Sequence, residues 1–337
     1  MRIGSNPQKD RQFIDPDFFH QVVIPVYIPN QDEYFKDALQ ILSLCIASLA
    51  ITSHQKTFIT IINNGSCHEV VNYLNDLQAS GKIHEVMHTQ NIGKVNAIAK
   101  GISGHSFPLV TISDADVLFK NGWQQATYEI FEKMSRAGAV ATTPNSKNFK
   151  HHTFNIFFEF LFSNALRFTI VKDADAMKEF ARSVGNETFF NTANLEKYMT
   201  ITRNGVRAVV GAGHYVCTYR GEIFENAGKI YAKNYIGGNA LNHKIDREVV
   251  QNDFWRLSTE NNFTFHMGNV IEPWMQEIMS GLAKQGELQP PRLDKGNPNQ
   301  LWRRIKELLV TGILYRLPLW KKFLCYKGLT KSEAKTY

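Results

Sequence analysis

The run Leu109-Val110-Thr111-Ile112-Ser113-Asp114-Ala115-Asp116-Val117 decides how this chain is read. Leu109–Ser113 is short, apolar and β-branched, the pattern of a buried strand. It stops at two carboxylates, Asp114 and Asp116, spaced i and i+2. In extended backbone such residues point the same way. Two carboxylates side by side repel unless a cation or a shared proton relieves the charge. Hard oxygen ligands favour Mg2+ or Mn2+, which also bind substrate phosphates. The plain alternative is a pair of solvated turn aspartates. The chain supplies its own control in Asp173-Ala174-Asp175, the same tripeptide in a charged helical pattern with no strand before it, which reads as helix surface.

Towards the N-terminus the pattern alternates. Val22–Ile28 reads as a strand and Asp37–Ala50 as a helix. Thr57–Ile62 is a second strand, ending at the turn Asn63–Ser66, and His68–Ala79 a second helix. Ile83–His88 is a third strand, and the loop Asn91-Ile92-Gly93 leads into a helix that Gly101 ends. Strands alternating with helices at this spacing imply βαβ units and a parallel sheet. In such a sheet ligands bind beyond the carboxyl ends of the strands. Four polar segments sit there: Pro25–Tyr27, Asn63–Ser66, Asn91–Lys94 and Asp114–Asp116. The Gly93 loop can bring backbone N–H groups and Lys94 to a nucleotide's phosphates. The spacing of a Walker A loop is absent, and ordinary helix entry is the alternative.

After residue 145 the pattern changes. Phe154–Val171 is dense in Phe, and its aromatic segment Phe154–Phe168 reads as core, with an acceptor or membrane-facing role as the alternative. Asp173–Arg182 is a helix, Arg207–Tyr219 a pair of strands, Gly237-Gly238-Asn239 a flexible loop, and Pro290–Pro298 a linker. The expected division is residues 20–145, residues 146–288 of the same domain, and a tail over residues 289–337.

The 337 residues, 43% hydrophobic and 20% charged, describe a globular chain of two domains or one large one. The four cysteines lie far apart, which excludes a zinc or disulfide framework and fits a reduced, cytosolic protein. The polar N-terminus argues against a secretory signal. Ala38–Thr52 and Phe154–Val171 both fall short of a spanning segment of about 20 apolar residues. The net charge of +7 lies wholly in residues 301–337, where nine basic residues meet two acidic ones. There Lys and Arg alternate with Leu, Ile, Trp302 and Trp320, which suits an anionic lipid surface over residues 301–330. A helix packed on the body is the alternative. Nucleic-acid binding would place the basic residues on the folded body, so no nucleic-acid partner is expected.

The order of pieces resembles glycosyltransferase family 2. Pro25–Tyr27 (PVY) is similar to that family's opening, Ile61–Ser66 (IINNGS) to its V-D-N-G-S turn, and Asn91–Gly101 to its N-x-G segment. Ser113–Val117 (SDADV) resembles its D-x-D loop, and Val216–Gly228 the strand–Arg–helix segment that opens the acceptor side. The resemblance covers roughly residues 20–270. It implies a GT-A fold, a Rossmann-type mostly parallel sheet flanked by helices, with an acceptor-side subdomain before the basic amphipathic tail. It also implies a nucleotide-sugar donor, Mn2+ or Mg2+ at the D-x-D loop, and inversion at the anomeric carbon. Asp116 would be the principal metal ligand, and Asp114 would face the ribose or the metal. His266, in FTFHMGN, matches a metal-binding His of several relatives, a satisfied core histidine being the alternative. Pro25, Tyr27, Asn63, Asn91, Gly93 and Lys94 would hold the nucleotide sugar.

Two departures stand out. Asn63 replaces the Asp that commonly accepts from uracil, so a UDP-sugar is expected through the amide carbonyl alone. The usual E-D pair is replaced by Lys244-Ile245-Asp246-Arg247-Glu248, and the base is carried over to Asp246, with Glu248 and Asp253 as rivals. The basic tail suggests a polyprenyl-diphosphate-linked saccharide acceptor at the inner face of the cell membrane, as in surface polysaccharide assembly. Deleting residues 301–337 would then free the body from membranes. The rivals are a nucleotidyltransferase, which would release pyrophosphate, and a membrane-bound adaptor that binds the donor without turnover.

Overall fold

The structure is a computed structural model, and it describes residues 17–225, 230–236, 240–295 and 299–337, with Gly4, Asn6, Pro7 and Lys9. The loop Gly237–Asn239 and the end of the linker at Pro298 lie outside the described residues. Four strands, β1 (His20–Val26), β2 (Thr57–Asn64), β3 (Glu85–Thr89) and β4 (Leu109–Ser113), pair in parallel in the order β3-β2-β1-β4. Parallel neighbours need a crossover, and here it is helical: α1 (Ala38–Thr52), α2 (His68–Ala79) and α3 (Lys94–Ile102). Alternation along β1 sends Val22, Ile24 and Val26 to the face covered by α1 and α2. Val23 goes to the other face, against Ala97, Ile98 and Ile102 of α3. Burial on both faces is why β1, β2 and β4 read as apolar runs rather than as alternating ones.

Ala38–Thr52 forms a 15-residue helix, and only with the preceding residues does the stretch Glu33–Thr52 become long and apolar enough, by length and composition, to cross a membrane. Its apolarity is used inside the fold, because Ile41, Leu42, Cys45, Ile46 and Leu49 of α1 are buried in the core. The helix α3 runs through Gly101 to Ile102 instead of ending there. A Cβ at Gly101 would lie 2.4 Å from Ile62 Cδ1 and 2.9 Å from Val23 Cγ1. Gly101 is therefore the point of closest approach between α3 and the sheet, not a helix stop.

The remaining strands are β5 (Val117–Phe119), β6 (Ala137–Ala141), β7 (Leu166–Ile170), β8 (Lys197–Arg203), β9 (Val206–Val210), β10 (Val216–Arg220), β11 (Trp255–Ser258) and β12 (Thr264–His266). The main sheet continues as β4-β10-β6-β11-β9-β8-β7. Strand β10 inserts antiparallel between β4 and β6, so it begins at the edge where β1, β2 and β4 end. Strand β11 returns parallel to β6, and β9, β8 and β7 close the far edge as an antiparallel meander. The two halves expected from sequence thus share one ten-stranded sheet. A separate ladder pairs β5 with β12 in the register Val117–His266, Leu118–Phe265, Phe119–Thr264.

The Phe-rich segment is core: Phe154, Phe157, Phe160 and Phe168 are buried in one cluster. The tail joins the same cluster through Val310, Trp320, Phe323, Leu324 and Leu329. Lys306 Nζ lies 2.9 Å from both Glu159 and Asp253, and Lys327 Nζ donates to the carbonyls of Phe160 and Ser163. Each large apolar side chain so buried contributes about 1.5–3 kcal/mol, and a domain has only about 5–15 kcal/mol in all. Deleting residues 301–337 would therefore open the core, so the truncation would disturb the body as well as the tail.

Gly101→Ala tests the close approach. In an exposed helix the change is worth about 1 kcal/mol in favour of Ala. Here overpacking against Ile62 and Val23 costs about 1–3 kcal/mol. The urea midpoint of the variant is expected to fall, and a rise would contradict this packing.

Candidate functional site

Strand direction brings the expected segments together. A cleft of about 400 Å³ opens over the carboxyl ends of β1, β2 and β4, and Pro25, Tyr27, Asn91, Lys94, Asp114 and Asp116 all line it. Its floor is apolar, with Tyr34, Phe35 and Ile41 beside Tyr27.

Two expected donor contacts fall elsewhere. Asn63 is buried and does not line the cleft; its Oδ1 accepts from the Ser66 N–H and its Nδ2 bonds His88. It shapes the turn after β2, which corrects its expected role on a nucleobase. Asn64, one residue on, lines the cleft instead, and its Oδ1 accepts from the Ile92 N–H at 2.9 Å. Gly93 takes φ +87°, and a Cβ there would meet the backbone of Asn234 and Tyr235 at 3.1 Å. The N–H of Gly93 donates to Asn91 Oδ1, and the N–H of Lys94 donates to the Tyr235 carbonyl. The expected phosphate cradle of backbone N–H groups is thus already occupied at these two positions. What the α3 entry offers the cleft is the Lys94 ammonium.

Lys94 Nζ lies 2.5 Å from Asp114 Oδ1, so Asp114 is an ion-pair partner. Asp116 stands apart from that pair. The β5–β12 register sets His266 opposite Val117, and His266 Nε2 comes to 3.4 Å from Asp116 Oδ2. Asp116 Oδ1 and His266 Nδ1 are buried without hydrogen-bond partners. Burial raises the Asp116 carboxyl above the ordinary carboxylate range; His266 and Lys94 oppose the rise and Asp114 adds to it. Among the described residues no group of three or more His, Cys, Asp or Glu could hold a metal ion. The expected trio is therefore reduced: Asp114 faces Lys94, and Asp116 with His266 remains as a donor pair. A buried carboxylate oxygen with no partner fits a cation, since Mg2+ and Mn2+ sites need few protein ligands when diphosphate oxygens complete the shell.

The base candidates are placed clearly. Asp246 is 0% exposed and lines no part of the cleft. It ends a π-helical turn, Asn242–Asp246, and its carboxylate is enclosed by Arg256 at 2.7 Å, His214 at 3.1 Å and the Tyr219 hydroxyl at 3.2 Å. A base must reach the proton it removes; in this arrangement the Asp246 carboxylate does not open onto the cleft, so the expectation that it takes the acceptor proton there is not met. Asp253 is tied to Arg136 and Lys306, and Glu248 borders a different, polar cavity beside His243 and Arg247. Neither rival reaches the cleft.

Sequence reasoning missed His214. It precedes β10 in Gly211-Ala212-Gly213-His214, and only an antiparallel β10 puts that end beside the Asp114 loop. His214 lines a second cavity of about 310 Å³ that shares Asp114 with the first and is walled by Phe180, Phe189, Phe190 and Tyr215. A smaller cavity between Lys94, Tyr235 and Asn242 also touches it.

Residues 22–192 match the family described as Glycosyl transferase family 2. Two solved structures align with this chain at low similarity. S. aureus TarS, residues 1–349, is 9% identical with a TM-score of 0.42, the alignment covering 90% of this chain and 78% of that one. The mannosyltransferase PcManGT from Pyrobaculum calidifontis, in complex with GDP-Man and Mn2+, is 13% identical with a TM-score of 0.42, over 94% and 73% of the two chains. No curated protein matches. The family match spans just over half of the chain, ends inside the acceptor-side half and includes the Asp114–Asp116 loop, and on that ground this chain belongs to glycosyl transferase family 2.

Proposed function

We propose that the chain moves a sugar from a nucleotide-sugar donor to a hydroxyl of a saccharide acceptor by a single inverting displacement that depends on Mn2+ or Mg2+. The observation that carries this is the meeting of three features at one strand edge. They are the Lys94 ammonium, the partnerless Asp116 oxygen and an apolar trough beside Tyr27. The trough takes the nucleoside, and Lys94 steers the diphosphate. With Asn63 sealed in its turn, the residue expected to favour uridine no longer supports that base. A divalent cation held by Asp116 and His266 would neutralise the charge that builds on the leaving diphosphate. The aromatic cavity across Asp114 takes the acceptor, since sugar faces stack on Phe and Tyr rings. The sheet holds the two substrates in line.

We further propose that the tail rests on an anionic membrane, which favours a polyprenyl-diphosphate-linked acceptor at the inner face of the cell membrane and a role in surface polysaccharide assembly. The support is a helical face left over after packing. Leu301 is 71% exposed, Leu308 69%, and Trp302 and Ile313 are also exposed, with Arg304, Arg316, Lys321 and Lys322 alongside. Phe162, on the body beneath Tyr326, is 84% exposed. Large apolar groups in solvent, rimmed by basic residues, suit a lipid interface.

Thermal shift tests the donor site. A ligand at 100 times its Kd adds about 2.7 kcal/mol of stability. Nucleoside diphosphates are expected to raise the Tm of the wild type with Mn2+ and much less without it. Asp116→Asn should lose the metal-dependent part and retain the fold by far-UV circular dichroism. An unchanged Mn2+-dependent shift in that variant would remove Asp116 from the site.

Co-sedimentation tests the surface. Each basic residue near an anionic bilayer is worth about 1 kcal/mol. Trp302→Ser with Leu308→Ser and Ile313→Ser should weaken binding to phosphatidylglycerol vesicles by at least about tenfold, with Tm preserved. Wild-type sedimentation by this triple variant would reject membrane contact through this face.

A further inference from the structure

We propose that Asn96 is a positioning residue of the donor cleft: its amide fastens residues 230–236 to helix α3, and Tyr235 and Ile236 of that segment form a wall that the nucleotide sugar packs against. This rests on the donor reading above. Asn96 lies in the first turn of α3, two residues beyond Lys94. Its side chain has two N–H donors and one carbonyl acceptor, and all are used. Nδ2 donates to the Ile92 carbonyl at 2.7 Å and to the Ala232 carbonyl at 2.8 Å. Oδ1 accepts from the Ala232 N–H at 2.8 Å. Both partners of Nδ2 are carbonyl oxygens, so the amide can take only this orientation. It therefore grips both backbone groups of one residue 136 positions away, as a neighbouring strand would.

The gripped segment is irregular backbone. Ala232 is buried, and Ile230 packs on the apolar cluster that includes α3. Three residues after Ala232, the Tyr235 carbonyl accepts from the Lys94 N–H at 2.8 Å. The absence of a side chain at Gly93 leaves room for that approach. Held at these two points, the segment places Tyr235 and Ile236 in the wall of the cleft beside Lys94 and Asp114. The same two residues wall the smaller cavity, so the segment stands between the two spaces.

Tyr235 is 65% exposed and Ile236 77%. A ligand in the cleft would cover apolar surface on both, and that burial favours binding. A loose segment would have to be ordered at the moment of binding, and the lost entropy would weaken affinity. The Asn96 clamp holds the segment in place beforehand. Asn96 does not line the cleft, so its effect passes through the backbone it grips.

The test uses the full chain with Mn2+. Titration calorimetry measures binding of UDP, GDP, ADP and dTDP, and mass spectrometry follows tryptic cleavage after Lys233, which is exposed within the segment. In the wild type a bound nucleotide should slow that cleavage. Asn96→Ala should raise the Kd of the bound nucleotide about tenfold and speed cleavage after Lys233, with the Tm of the ligand-free protein unchanged. Asn96→Asp is of equal size but has no N–H for the Ile92 and Ala232 carbonyls, so it should not restore affinity. If Asn96→Ala does not fold, Tyr235→Ala combined with Ile236→Ala takes its place, with the same expected loss of affinity. A wild-type Kd in Asn96→Ala, in Asn96→Asp or in the paired variant defeats this proposal and leaves the donor reading standing. So does a bound nucleotide that leaves cleavage after Lys233 unslowed. A raised Kd accompanied by a lower Tm of the free protein marks a general loss of fold, and also defeats it. A wild type that binds none of the four nucleotides defeats the donor reading, and this proposal with it.

Discussion

A parallel ladder delivers the carboxyl ends of its strands to one edge, and every functional feature of this chain follows from that directionality. Strands β1, β2 and β4 end together, so the segments after them converge although they lie far apart in sequence. One reversal completes the arrangement. Strand β10 runs antiparallel to β4, and the stretch before it enters the same edge from the opposite direction. The short β5–β12 ladder then fixes His266 beside Asp116 by backbone register, not by side-chain affinity.

Charge is handled differently on the two sides of the site. Asp246 and Arg256 are both fully buried, and an ion pair so placed gains little net stability, since desolvation offsets the attraction. Removing one partner alone would cost about 3–5 kcal/mol, because the other charge would be left uncompensated in the interior. Such a pair is better understood as a rigid anchor than as a stabiliser. Lys94 and Asp114 are partly exposed and able to exchange partners. The fixed pair is sealed in the interior, and the exchangeable pair lines the cleft.

The C-terminal segment has two faces with separate physics. One face supplies Trp320, Phe323 and Leu324 to the main core, with Lys306 and Lys327 buried on carboxylates and carbonyls. The other leaves Leu301, Leu308 and Ile313 in solvent among arginines and lysines. The two readings open at the level of sequence, packing and lipid contact, are not exclusive, since a helix has room for both. Because the packed face belongs to the core, the outer face is carried by the body itself.

Much of the parallel half was legible from residue order. Unbroken β-branched runs at Val22–Val26, Thr57–Ile62 and Leu109–Ser113 can be satisfied only by burial on both faces, and helices of matching length lie between them. That the polar segments following these strands meet is a consequence of parallel pairing, which the alternation already implies. Local pattern is silent on which atoms are spent inside the fold. Asn63 and Asn64 are chemically identical neighbours, yet one is consumed by its own turn and the other faces the cleft, because alternation along β2 opposes them. Gly101 looks like a helix stop and is a packing contact. Asp246 and His214 are 32 residues apart and join only where β10, β11 and the π-helical turn pack. The amino-acid order by itself determined the strand–helix alternation and the edge at which chemistry gathers, since both follow from hydrophobic periodicity. Only the tertiary structure decided which carboxylate is sealed, which pairs with Lys94 and which meets His266 while one of its oxygens stays buried without a hydrogen bond, because burial and distance belong to the packed chain and not to its neighbours in sequence.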